Sequence, residues 1–187
     1  TKLIAKYVDN DQKEWKDISI FSKKTSYEFW KKYESMPTAR TEIVSVVVDK
    51  KIYVIGGYDI DKNGLNVVEA FDVENNSWEV ITPLPKKIHH VSAVTHNEKI
   101  YVIGGYDCCK PLDDVFIFDT KMNSWQKGPS LPTPRGALTA QVINDKIYVL
   151  GGQNKVSLST NEVFNFLNAS SFLKNWPKIP IFSVLQC

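Results

Sequence analysis

Three histidines, His89, His90 and His96, are the side chains of this 187-residue chain most open to chemistry. Imidazole can ligate zinc or move a proton near neutral pH. On a strand His90 and His96 share a face while His89 points the other way. No cysteine or carboxylate completes a zinc spacing around them. They read as solvent-exposed or channel-mouth histidines. Cys108 and Cys109 are adjacent and Cys187 is terminal, an odd count that makes no disulfide framework and suits a reducing compartment. A bridge between sequence neighbours is strained, so the pair reads as free thiols. Asp113 and Asp114 could act as acid and base, but they fall where a strand begins and polar residues end a loop. No nucleophile motif is present, and no glycine-rich loop leads into a helix that could hold a phosphate. The sequence therefore assigns no catalytic, cofactor-binding or metal-binding residue, and no cofactor is expected.

Bulk composition narrows the classes further. Lys and Arg number 23 against 21 Asp and Glu, a net charge of +2, which gives no reason to expect nucleic acid or an anionic membrane. Hydrophobic residues make up 43% of the chain, enough for a core, and no apolar run approaches the ~20 residues of a membrane span. The chain opens on Thr1 without a charged-then-apolar leader, which leaves room for an upstream segment. Cytoplasm or nucleus is the expected location.

The elements that would position these groups repeat. Lys51-Ile52-Tyr53-Val54-Ile55-Gly56-Gly57 returns at Lys99–Gly105 and, with one Leu for Ile, at Lys146–Gly152. From Ile to Ile the spacings are 100 − 52 = 48 and 147 − 100 = 47, and Trp30, Trp78 and Trp125 keep the same period. Each copy reads as four strands. The first is an alternating apolar run ending in Asp49-Lys50, Asn97-Glu98 or Asn144-Asp145, pairs suited to tight hairpins. The second is the Ile-Tyr-Val run, apolar enough to be buried on both faces, and its Gly-Gly end supplies positive φ. The third carries Phe71-Asp72 or Phe118-Asp119, and the fourth carries the tryptophan. Met36-Pro37, Leu84-Pro85 and Leu131-Pro132 then end each outer strand and lead to the next unit. Such sheets cannot bury both faces alone, but stacked radially they can, as the blades of a propeller do.

The apolar run into Gly-Gly, the aromatic-Asp pair and the later Trp, in order over residues 30–166, resemble kelch repeats. The resemblance implies an all-β fold, a kelch-type β-propeller of four-stranded antiparallel blades, incomplete or small, with about three full blades plus a partial one. The expected units are 1–36 as a partial unit, then 37–82, 83–129 and 130–187, the last irregular. Trp15 also stands six residues after an Asp, as Trp78 does, but Trp30 has the correct Met-Pro offset and is the favoured phased residue. Phe166 precedes Trp176 by ten residues where Phe118 precedes Trp125 by seven, so the last copy drifts around Asn168. Three Gly-Gly strands do not close a six-bladed ring. The chain reads as a fragment of a larger ring, or self-associates through open blade edges, or forms a small irregular propeller.

By strand alternation, the loops after Gly-Gly and after Leu-Pro lie at one end of the blades, with Arg40, Tyr58, Lys86, Lys87, His89, Tyr106, Arg135, Gln153 and Asn154. Kelch adaptors of ubiquitin ligases often contact acidic peptides through an Arg four residues after the Met or Leu, and through the Tyr after Gly-Gly. The resemblance therefore implies Arg40, Arg135, Tyr58 and Tyr106 as partner-binding residues. Ile88 and Gln153 interrupt that set. The alternative for the arginines is pairing with blade backbone or neighbouring acids. The implied function is a non-catalytic protein- or peptide-binding platform, with substrate recognition for a ubiquitin-ligase-type adaptor as its specific form and a peptide of acidic character as its partner. The alternative is a kelch-propeller enzyme or carbohydrate binder of the sialic-acid-mutarotase or galactose-oxidase type.

Overall fold

A computed structural model describes residues 5–8, 15–18 and 29–167. The chain forms two compact units, Thr1–Tyr33 and Glu34–Cys187. In the first, β1 (Ala5–Val8) and β2 (Trp15–Ile18) pair antiparallel, with Val8 opposite Trp15. Phe71 stands opposite Trp78 and Phe118 opposite Trp125 in the same way. Trp15, not the favoured Trp30, thus occupies a fourth-strand position. Trp30 lies in no strand and is exposed. The downstream phase of Trp30 is nevertheless real. Glu34, four residues after it, accepts a hydrogen bond from Trp78 Nε1 at 2.9 Å, and Thr82, four after Trp78, accepts one from Trp125 Nε1 at 2.8 Å. The sequence signal was split because 36 − 15 = 21 residues separate Trp15 from Met36, where 84 − 78 = 6 separate Trp78 from Leu84.

The second unit is built of blades. The first blade contains β3 (Val44–Val48), β4 (Lys51–Ile55), β5 (Val68–Asp72) and β6 (Ser77–Val80), paired in that order. In the second blade β7 (Ser92–His96) pairs with β8 (Lys99–Ile103). A small hairpin of β9 (Tyr106–Asp107) and β10 (Lys110–Pro111) follows. The blade is completed by β11 (Val115–Asp119) and β12 (Ser124–Lys127). The third blade has β13 (Thr139–Ile143) and β14 (Lys146–Leu150), then a hairpin of β15 (Gln153–Asn154) and β16 (Val156–Ser157), then β17 (Asn161–Asn165). The insertion near Asn168 and Trp176 lies outside the described residues. The first strands lie innermost, with β3 against β7 and β7 against β13. This is the radial stacking of a small β-propeller.

Local chemistry explains the hairpins. Asn97 and Glu98 both take positive φ, as do Asn144 and Asp145, the requirement of a type I′ turn, whereas in the first blade only Asp49 does. The second strands β4 and β8 are largely buried, and Ile55, Ile100 and Val102 show no exposure. The counterpart of Ile55 in β14, Leu150, is 38% exposed, because no described blade covers its outer face. Between the first two blades Tyr53, Ile55, Ala70, Leu84 and Ile88 pack with Ile100, Val102, Phe116 and Phe118 in one cluster. A second cluster of Tyr101, Ile103, Ile117, Leu131, Ile147 and Val149 joins the second blade to the third. Trp78 and Trp125 are half-buried, packed on Phe71 and Phe118 at 5.1 and 4.8 Å between ring centroids.

Candidate functional site at the loop end of the blades

The return segments and the post-Gly-Gly residues do meet at one end. Thr41 and Tyr58 exchange two backbone hydrogen bonds at 3.0 and 2.8 Å, His89 and Tyr106 at 3.2 and 2.9 Å, and Gly136 and Gln153 at 3.1 and 2.8 Å. The glycines hold neighbouring blades together here. Gly57 N–H donates to Ile88 C=O and Gly105 N–H to Arg135 C=O, each reaching into the next blade. A Cβ on Gly56, at φ +62°, would stand 2.6 Å from the Ile88 oxygen, so no larger residue fits.

Neither arginine implied as a binding residue is open to a partner in this structure. Arg40 Nη1 donates to Glu69 Oε2 at 2.8 Å and Nη2 to the Val54 carbonyl at 3.0 Å, with side-chain exposures of 0% for Arg40 and 2% for Glu69. Thr38 Oγ1 donates to the other Glu69 oxygen at 2.6 Å. Burial pushes the Arg40 pKa down, and the Glu69 charge and hydrogen bond oppose that. Arg135 Nη2 pairs with Glu162 Oε1 at 2.7 Å, and Nη1 donates to the Gly151 carbonyl at 2.9 Å. The geometry is that of the alternative weighed above, arginines paired with blade backbone and neighbouring acids.

The missing arginine of the middle copy now has a physical reason. Glu69, Phe116 and Glu162 occupy one register position, each opposite the residue after the Tyr of the second strand, namely Val54, Val102 and Val149. The pairs across copies are therefore Arg40 with Glu69, Ile88 with Phe116, and Arg135 with Glu162. Ile88 and Phe116 are buried at 1% and 6% exposure, so an apolar pair replaces an ion pair at one site. The signal was in the sequence: an acid at the third-strand position accompanies Arg, and an aromatic accompanies Ile.

The tyrosines remain at the surface, half-buried. Tyr58 reaches from the first blade and stacks on His89 of the second, at 3.9 Å between centroids and 26° between planes. Tyr106 lies over Gly136 of the third blade, where a Cβ would come within 2.0 Å of its ring, and its hydroxyl donates to the Gln153 carbonyl at 2.9 Å. His89 also stacks on Tyr106 at 5.8 Å. His89 is buried rather than exposed, at 2% exposure, and burial pushes its pKa down, against the opposing hydrogen bond to Cys108. Its Nε2 is 3.0 Å from the Cys108 carbonyl and must donate there, so its Nδ1, 2.7 Å from His90 Nδ1, accepts. His90 donates from Nδ1 in that bond, and its Nε2 lies 3.3 Å from Glu42 Oε2. His96 is apart from this group, stacked on Phe166 at 3.9 Å.

Asp114 is buried between two lysines, with Lys86 Nζ at 2.9 Å and Lys127 Nζ at 2.8 Å. Burial alone would raise its pKa, but the hydrogen bonds from Lys127 and Lys86 outweigh burial and hold it below the usual carboxylate range. Lys86 is therefore a structural partner, while Lys87 is exposed. Among the described residues no three His, Cys, Asp or Glu side chains are grouped to hold a metal ion. A crevice of about 170 Å³ between the second and third blades is lined by Tyr101, Ile117, Leu131, Val149 and Phe164, and apart from Tyr101 its polar side chains are Ser130 and Glu162.

Comparison with known proteins agrees with this geometry. The KLHDC2/KLHL20/DRC7 Kelch-repeats domain family matches residues 7–152, beginning within β1. The chain is similar to the F-box/kelch-repeat protein At2g44130 of Arabidopsis thaliana, 36% identical over 56 residues, 29% of this chain and 14% of that protein. It is also similar to the F-box/kelch-repeat protein At2g29600 of the same plant, 36% identical over 61 residues, 33% of this chain and 14% of that protein. The match thus spans about one seventh of the length of these relatives. Repeat spacing, blade topology and the extent of the family match make the chain a member of the kelch-repeat family, whose blades form a protein-interaction module.

Proposed function

We propose that the loop end carrying Tyr58, His90 and Tyr106 binds a peptide segment of a protein partner, without catalysis, as the substrate-recognition part of a ubiquitin-ligase-type adaptor. The observation that carries this reading is the stack of Tyr58, His89 and Tyr106 across the blades. It presents rigid aromatic surface beside a half-exposed histidine, and such residues dominate binding hot spots when supported from below. Arg40 and Arg135 serve this surface by fixing the segments that carry it. The acidic preference of the partner then rests on the exposed Lys62, Lys87 and Lys110 around the stack. The kelch architecture shared with F-box/kelch-repeat proteins supports the adaptor setting. Cytoplasm or nucleus remains the proposed location.

A displayed peptide library selected on the chain tests the reading. Peptides recovered should lose at least ~10-fold in affinity on Tyr58→Ala or Tyr106→Ala, the size of a hot-spot aromatic. Val80→Asp, on the exposed edge of the first blade, should leave affinity unchanged. Peptides insensitive to both tyrosine substitutions would overturn the proposal.

A further inference from the structure

Cys108 and Cys109 form the two-residue tip of the β9–β10 hairpin, between the paired Asp107 and Lys110. Both are exposed and their Sγ atoms are 3.6 Å apart. Cys108 has φ +55°, in the left-handed region that non-glycine residues seldom occupy. The tip is tied down from one side, because His89 Nε2 donates to the Cys108 carbonyl at 3.0 Å. That carbonyl belongs to the peptide joining the two cysteines.

We propose that Cys108 and Cys109 are a reversible dithiol–disulfide site, oxidised by exchange with a small disulfide of the glutathione class, and that oxidation releases His89 from the hairpin tip. The hydrogen bond to Cys108 and the Cys108 charge, more than burial, push the Cys109 pKa up. Both sulfurs are exposed and 3.6 Å apart, so either can open the exchange. The first thiolate attacks one sulfur of glutathione disulfide, whose S–S bond breaks, and one glutathione leaves as thiolate and takes up a proton. The other cysteine then gives its proton to solvent and attacks the protein sulfur of the mixed disulfide, expelling the second glutathione. Two protein thiols are oxidised and one disulfide is reduced to two thiols.

The product is easily reversed. Adjacent Cα atoms are about 3.8 Å apart, closer than the ~4.4 Å or more of ordinary disulfides, and a strained bridge is readily reduced. Closing the sulfurs from 3.6 Å to the ~2.05 Å of a bond must twist the peptide between them. His89 loses its acceptor in that twist, and His89 is the residue on which Tyr58 stacks. The site itself does not depend on the peptide-binding reading.

The test uses the chain with Cys187→Ser, so that only the pair can react, in buffers of rising oxidised-to-reduced glutathione ratio. Intact mass and peptide mapping should show loss of two hydrogens from the fragment holding Cys108 and Cys109, restored by excess reduced glutathione. Cys109→Ser and Cys108→Ser should each trap one glutathione on the remaining cysteine and form no bridge. Nitrogen-15 spectra should show the His89 ring shifting on oxidation, and not shifting under the same treatment in the Cys108→Ser/Cys109→Ser variant. Two stable glutathione adducts without a bridge, or disulfide-linked dimers, would overturn the site. A bridge that forms while the His89 signals stay fixed would overturn the coupling.

Discussion

Converting the Arg40–Glu69 pair of the first blade into the Ile–Phe pair of the second puts the internal exchange to a quantitative test. Arg40→Ile alone leaves the Glu69 carboxylate, 2% exposed, with only the Thr38 hydroxyl as a charge-stabilising partner among the described residues. Removing one member of a buried ion pair costs about 3–5 kcal/mol, because the remaining charge stays out of water. Glu69→Phe alone strands the Arg40 guanidinium, whose side chain is 0% exposed, at a similar cost. The double variant removes both charges and fills the space as Ile88 and Phe116 do. What it loses is the bond from Arg40 to the Val54 carbonyl and the bond from Thr38, about 1 kcal/mol each. It should therefore lie within about 2 kcal/mol of the parent, with a coupling energy of about 4 kcal/mol or more in the double-mutant cycle. Urea denaturation followed by tryptophan fluorescence measures all four proteins, provided the slopes agree. Additive losses, or a single-variant loss below about 1 kcal/mol, would refute the claim that the two positions form one interchangeable unit.

Trp125→Phe should cost about 1 kcal/mol, since it mainly removes the Nε1 bond to the Thr82 carbonyl, and Trp125→Ala should cost about 2–3 kcal/mol by urea denaturation. Because the Asp114 carboxyl is held below its ordinary pKa, its contribution is present above the unfolded value and is lost as the pH falls through the folded one. Parent and Asp114→Asn should thus differ in stability near pH 7 and converge below about pH 3. His89 is likewise depressed, so stability is full above its ordinary value of 6.5 and falls as the pH drops below it, a slope that His89→Asn should flatten in thermal melts. Val47 and Val80 of the first blade and Ile143 and Val163 of the third are exposed. Sedimentation velocity over a concentration series should therefore show reversible self-association, and a monomer at every concentration would rule out pairing through blade edges.

The repeat itself was legible because each element carries a local cause. Asn97-Glu98 sets a hairpin, the Ile-Tyr-Val run sets a buried strand, and Gly56 admits a neighbouring carbonyl that a Cβ would exclude. Trp30 misled because phase alone cannot say which of two tryptophans sits in a strand, and Trp15 satisfies the hairpin spacing upstream of a long connection. The arginines were legible in position but not in role. Whether a guanidinium faces solvent depends on Glu69 and Glu162, which come 29 and 27 residues later and meet it only when the sheet forms. The Tyr58–His89 stack was hidden for a related reason. It crosses from one blade to the next, and no spacing within a single repeat reveals a contact between repeats.

Engagement of a partner at the loop end of the blades, through Tyr58, His90 and Tyr106, is read by hydrogen–deuterium exchange of the chain with and without a selected peptide. Added protection is expected only in the segments around Tyr58–Gly64, Lys87–His90 and Tyr106–Pro111. Protection confined to β6 and β12 at the outer edges, with those three segments unchanged, would contradict it.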